Sequence, residues 1–281
     1  MSFAKRAINL QFRLATGTVN GPSNTLDLTN YRVEAVIDNP GGPVIGFSTL
    51  NLRVFGMSLS DMNAFATTIK SLRGDGVTVS AGNVGGNIRT VFDGTLMSGF
   101  IDTSTMPEVS FNVTGFTGGL ARVKPAASNS YPGSVDVATA IGGLAQQAGF
   151  AFVNNGVTAK LRDQYTYGTI ADQVAKLVDA AGIQCAWEAG VLAIWPNGAA
   201  RDAQVVQVSP ATGMVGYPVF DDFGINVKTE FDPSHAFGRR VAVTSSIPKA
   251  NGTWNCYGAR HELSTFSPNG PWFTSLKLGN F

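Results

Sequence analysis

The sequence predicts an α+β protein that is mainly β: two β-barrel regions with a small duplicated α/β module inserted between them. Three observations carry this. Runs such as Ile8–Leu14, apolar at Ile8, Leu10, Phe12 and Leu14, alternate with the period of a strand. Between two such regions the apolar pattern takes the period of a helix, twice, at an offset of 33 residues. Of 281 residues, 33 are glycine and only 14% are charged. Ordinary soluble domains carry about 25% charge, so this composition suits either a surface partly covered by partners or a glycine-rich β protein with a polar, uncharged surface.

The first region, 1–123, opens with that alternating run, which also argues against a signal peptide because no continuous apolar stretch precedes it. A polar loop is expected from Gly17 to Thr29, then alternating strands at Tyr31–Ile37 and Thr49–Phe55. Ser58 and Asp61 fit a helix cap ahead of the stripe Met62, Phe65, Ala66 and Ile69. Strands resume at Val77–Ser80, Asn87–Phe92, Gly94–Ile101 and Glu108–Val113, with Asp93-Gly94 read as a tight hairpin turn and Gly82–Asn87 as a hairpin loop. Phe55, Phe65, Phe92 and Phe100 are assigned to the core of this region.

Residues 124–133 read as a linker from their Pro, Ser and Gly content. In the module, 134–200, Val137, Ile141, Leu144, Ala145 and Ala148 match Ile170, Val174, Leu177, Val178 and Ala181, each set ending at a glycine. Asp136 and Thr169 are expected to cap the two helices. Phe150–Val153 with Gly156–Ala159, and Ile183–Ala186 with Gly190–Ala193, are read as equivalent hairpins.

In the third region, 201–281, strands are expected at Val205–Ser209, Asn226–Phe231, Arg240–Thr244, Gly252–Gly258, Arg260–Phe266 and Trp272–Leu278. Asn269 and Gly270 are expected to supply positive φ in the turn Ser267–Pro271.

The chemistry is sparse. Net charge is +1, and residues 1–125, 126–200 and 201–281 carry ten basic and eight acidic, three and five, and seven and six groups. No basic stripe for nucleic acid results, and Arg239-Arg240 alone does not make one. No segment has the roughly 18 apolar residues of a membrane span. Cys185 and Cys256 have no CxxC spacing and read as buried thiols. His235 and His261 read as structural; with two histidines and two scattered cysteines no metal-ligand spacing appears. Asp221, Asp222, Glu230 and Asp232 form the densest acidic group. A carboxylate pair for glycoside hydrolysis is the functional reading there, solvated turn formers the other. No catalytic, cofactor or metal residue is therefore assigned. Trp254, Tyr257, Trp272 and Phe273 cluster near the C-terminus, mostly as core, with one or two available to anchor a partner.

The run Gly252–Ser264 followed by Ser267–Thr274 resembles the C-terminal barrel of baseplate hub proteins from contractile-tailed bacteriophages, and Leu50–Asn63 is similar to the strand-then-helix of that family's first barrel. The resemblance implies two tail-tube-like barrels in a homotrimeric structural protein, neither an enzyme nor dependent on a cofactor. Such a hub would join the sixfold tail tube to the threefold central spike and line the DNA channel. It would sit in the virion baseplate after assembly in the host cytoplasm. The implied partners are itself, the tail tube protein and the central spike protein, with the tape measure and other baseplate proteins as further contacts. Two other readings stay open: a tail-associated cell-wall hydrolase using the acidic group, and a carbohydrate-binding tail adhesin.

Overall fold

The computed structural model describes residues 5–19, 21–40, 47–67 and 73–280. The N-terminal part contains β1 (Arg6–Arg13), β2 (Thr25–Leu28), β3 (Arg32–Pro40), β4 (Thr49–Phe55), α1 (Leu59–Phe65), β5 (Gly76–Asn83), β6 (Arg89–Asp102), β7 (Ser110–Phe116) and α2 (Gly119–Val123). The middle contains β8 (Asn129–Asp136), α3 (Val137–Gln147), β9 (Ala151–Asn154), β10 (Lys160–Thr166), α4 (Ile170–Ala181), β11 (Ile183–Glu188) and β12 (Val191–Pro196). The C-terminal part contains β13 (Val205–Val208), β14 (Met214–Phe220), β15 (Gly224–Glu230), β16 (Arg240–Val243), β17 (Gly252–Thr265) and β18 (Trp272–Gly279).

The alternation seen in the sequence is the alternation of burial. Val33, Ala35 and Ile37 on β3 and Leu50, Leu52 and Val54 on β4 face one core, joined by Phe12, Phe65, Phe92 and Phe111. A second core, of Val227, Val241, Val243, Leu276 and Leu278, is enclosed by β13–β18. Ser58 caps α1, its hydroxyl accepting from the Asp61 amide at 3.0 Å. Ile69 of the expected stripe lies outside the described residues.

The two separate barrels expected from sequence are, among the described residues, one continuous sheet of thirteen strands, antiparallel except where β13 pairs β16. The reason is β17. It runs past the strands of its own half and pairs its free edge with β3, from Gly258↔Pro40 to Thr265↔Val33. The first core also takes Leu263 from β17 and Trp272 from β18, so the two cores share strands as well as a ladder.

Other expectations are corrected by packing. Asp93-Gly94 is not a turn, since β6 passes straight through it. A Cβ on Gly94 would sit 2.6 Å from the Phe116 carbonyl oxygen and 2.7 Å from the Phe92 ring, so close approach explains this glycine. The segments Gly252–Gly258 and Arg260–Phe266 are likewise one strand, β17, interrupted only by a register shift between Cys256 and Gly258. The polar loop Gly17–Thr29 contains β2, which turns Leu26 and Leu28 inward. In the last turn Asn269 has φ 56°, but Phe266 (φ 55°) and not Gly270 supplies the second positive angle.

In the middle module both helices form as expected. Asp136 accepts from the Thr139 amide at 2.8 Å, and Thr169 forms a reciprocal capping box with Asp172. Ile141, Leu144, Val174 and Leu177 pack into one core around the fully buried Trp187. The hairpins are not equivalent, however. Ile183–Glu188 and Val191–Pro196 pair as a hairpin, whereas β9 runs parallel to β12 and leaves Gly156–Ala159 unpaired with it. Much of the expected linker 124–133 is strand, because β8 pairs β10. The repeated unit is thus strand–helix–strand, β8-α3-β9 and β10-α4-β11.

Candidate assembly surface

The residues of the acidic group Asp221, Asp222, Glu230 and Asp232 are spread over two turns and the end of one strand. Asp221 is a turn former: its Oδ1 accepts from the Phe223 and Gly224 amides and its Oδ2 from Asn226, and these bonds hold its carboxyl below the usual range. Glu230 lies at the far end of β15. Six strand residues separate Gly224 from Glu230, about 20 Å at 3.3 Å each. A glycosidase pair needs roughly 5–10 Å. Asp232 accepts from the Ser234 amide in a further turn.

The two histidines are buried near one another. His261, on β17, shares a 2.9 Å hydrogen bond between Nδ1 and the Thr274 hydroxyl and meets the Phe231 ring edge-on. Burial, reinforced by His235, pushes its pKa down to about 3. His235 is pushed down to about 4, first by burial and further by Arg239, with Asp232 opposing. Both are neutral in the folded protein at neutral pH. Cys185 and Cys256 lie in different cores, each thiol pushed up to about 12 by burial and so kept protonated.

Around His235 the module is locked to the C-terminal strands. Arg201 pairs with Glu188 and also donates to the Phe237 carbonyl, and Arg239 pairs with Asp202 at 2.8 Å. Trp195 and Phe237 meet edge-on beside this cluster. Arg239 therefore serves an internal joint.

The surface is organised by topology. In the order β14-β15-β18-β17-β3-β4-β7-β6, two four-strand sets repeat one plan. In each, the first two strands form a hairpin, the next in sequence is 14 residues long, and the last inserts between that long strand and the hairpin. In each, the strand preceding the long one pairs with its N-terminal portion: β5 on β6, β16 on β17. The sets differ outside this run, where β1 is antiparallel to β5 but β13 is parallel to β16.

One face of this eight-strand run is polar with its arginines paired. Arg260 meets Asp38 at 2.9 Å and Glu262 at 3.2 Å, Arg53 meets Glu34 at 3.5 Å, and Arg32 meets Glu108 at 3.0 Å. Phe55, assigned to the core from sequence, lies half-buried beneath Arg32 and Arg53, 4.2 and 5.3 Å from its ring. Phe100, also assigned to the core, is 53% exposed, because β6 turns Leu96 inward and Phe100 outward. At the other end a trough of about 670 Å³ opens between Arg260, Lys277 and Lys228 and a wall made by Tyr217 and Val219.

β14 was missed from sequence, as was α2. Its ladder to β15 is broken between Val215 and Val219, and Gly216 has φ 74°. The bulge leaves Tyr217 69% exposed, and Phe223, in the following turn, is 71% exposed. Exposed aromatics therefore gather here, with others at Phe100, Tyr165, Tyr167 and Phe266, and not at Trp254, Tyr257, Trp272 and Phe273, of which Trp272 is buried in the first core.

The chain is thus a mainly β scaffold in which one four-strand plan is repeated within a single sheet. The family model of the baseplate hub gp41 matches residues 48–271, so the chain belongs to that family of phage-tail structural proteins. The fold is shared with a tail protein from Neisseria meningitidis MC58, at TM-score 0.64 and 13% identity, covering 98% of this chain and 96% of that one. It is also shared with the prophage MuSo2 43 kDa tail protein from Shewanella oneidensis, at TM-score 0.61 and 10% identity, covering 98% and 96%. A third match is the E. coli c3393 protein, described as a type VI secretion component with structural similarity to the T4 tail proteins gp27 and gp5. Its TM-score is 0.56 at 8% identity, over 96% of this chain and 76% of that one. No curated protein sequence matches the chain.

Proposed function

We propose that this protein is the structural hub of a contractile phage-tail baseplate, acting as a homotrimer that joins a sixfold tail tube to a threefold central spike. The observation that carries the reading is the repeated four-strand plan within one sheet. Two equivalent sets per chain, three chains to a ring, give six equivalent positions toward a sixfold tube while the ring itself keeps threefold symmetry. On this reading residues 1–123 and 201–281 are the two tube-like barrel domains, each around its own core, and 134–200 is an outer module. The polar face of the eight-strand run lines the DNA channel. Its arginines are matched by carboxylates, which limits the counterion release that would hold DNA in passage.

A PdpA–VgrG complex also contains a chain of this fold, at TM-score 0.59 and 7% identity, over 98% of this chain and 65% of that one. Electron microscopy of purified virions tests the hub reading. The expected image has three copies of this chain between the last tube ring and the spike; its absence from the baseplate overturns the proposal.

A further inference from the structure

Charge is unevenly placed on the middle module. Between residues 134 and 200 there are three cations, Lys160, Arg162 and Lys176, and all three lie around the exposed pair Tyr165 and Tyr167. Most of the module's carboxylates are engaged within the chain: Asp136 caps α3, Asp172 caps α4, Asp163 accepts from the Gly133 amide at 2.7 Å, and Glu188 pairs with Arg201. The patch is carried by the two-stranded ribbon of β8 and β10. The inner face of the ribbon packs Tyr131, Val135 and Leu161 on the module core and buries Thr166, whose hydroxyl donates to Gln173 at 2.8 Å. Leu161 and Thr166 both turn inward although an odd number of positions separates them, so β10 changes phase between them. Asp163 makes the change, with φ 51° in the left-handed region. Arg162 before it and Tyr165 after it therefore share the outward face with their ladder partners Ser134 and Ser130. Tyr167 follows on that face, its ring 6.0 Å from that of Tyr165 and tilted by 33°.

We infer that this outward face docks an acidic segment of a neighbouring baseplate protein, a reading that rests on the hub assignment. Arg162 has no ion pair among the described residues. Lys176 holds its ammonium 3.1 Å from the Tyr167 ring centroid and donates to the Tyr167 carbonyl at 3.4 Å. Lys160 is offset by Asp136, its partner across the ladder, so Arg162 and Lys176 are the charges left to choose a ligand. An arriving carboxylate meets these two cations beside two rings that supply apolar contact area, and both kinds of group anchor protein contacts. A polysaccharide fits less well. Stacking on a sugar needs a bare ring face, the Lys176 ammonium covers one face of Tyr167, and the tilt leaves the two rings without a common plane. Two cations are also too few to hold a nucleic-acid backbone against salt.

Two measurements on the full chain test this, with far-UV circular dichroism confirming that each variant is folded. In the first, a fluorescein-labelled peptide of alternating glutamate and leucine is titrated with the protein at low salt and followed by anisotropy. The same peptide with lysine for glutamate, and a labelled chitin oligosaccharide, are the other arms. Only the acidic peptide is expected to bind, about tenfold more weakly to Arg162→Glu with Lys176→Glu, and undiminished to Arg162→Lys. No binding, equal binding of both peptides, preference for the oligosaccharide, or indifference to the charge reversal overturns the proposal. In the second, p-benzoylphenylalanine takes the place of Tyr165 in virions and is activated by light. A cross-link to an aspartate- or glutamate-rich segment of another tail protein is expected. No cross-link, or one to a basic segment or to a second copy of this chain, overturns the docking while the hub reading stands. Absence of the chain from virions removes the hub reading, and the peptide titration then decides by itself whether the face takes acidic segments.

Discussion

His261 and His235 show how residue-scale burial becomes a property of the whole protein. Both have folded pKa values, about 3 and about 4, below the ordinary 6.5. The unfolded chain therefore binds protons that the folded chain refuses, and stability rises with pH through this window. The contribution is complete above about pH 6.5 and is lost as pH falls toward 4. Thermal midpoints measured from pH 7 to 4 should fall, and His261→Gln, which keeps a hydrogen-bonding group without the titration, should flatten that slope. An unchanged slope in the variant would remove His261 from the explanation. The pairing was invisible in the sequence, where the two histidines are 26 residues apart. Phe100 was misread for a related reason: alternation gives two faces, and only the fold decides which one is covered.

At the scale of elements, legibility followed how local the cause is. α3 and α4 were readable because a cap, an apolar stripe and a terminal glycine all lie within a dozen residues. Thr169→Ala removes one half of the α4 capping box and should cost about 1 kcal/mol in chemical denaturation. An unchanged midpoint would mean the helix is held by packing alone. β6 and β17 were each read as two strands because a bulge breaks the period of two, and a glycine at the break looks like a turn. β14 had no readable signal at all: Val215, Tyr217, Val219 and Phe220 are all outward, so the inside–outside contrast that marks a strand is missing. The equivalence of the module's two hairpins failed because the partner of β9 is β12, some forty residues away.

For the whole molecule, the sequence carried the mainly β class and the family. It did not carry the joining of two cores into one sheet, nor the free strand edges, because an edge is defined by what a strand lacks as a neighbour. The scarcity of charge was the one global hint that surface would be covered. The lock between Arg201 and Glu188, which joins segments from different regions, was equally out of reach, as was that between Arg239 and Asp202, 37 residues apart.

A strand that belongs to two cores makes the halves inseparable. β17 supplies Cys256 and Ala259 to one interior and Leu263 to the other. Expressed alone, residues 201–281 would leave Gly258–Thr265 as a naked, sticky border, and residues 1–123 would leave β3 in the same condition. Each fragment should aggregate, while the two mixed during refolding should recover a soluble complex; a fragment that remains monomeric and folded by itself would contradict this. The two halves should thus melt together, held by a rivet that no local fraying can release.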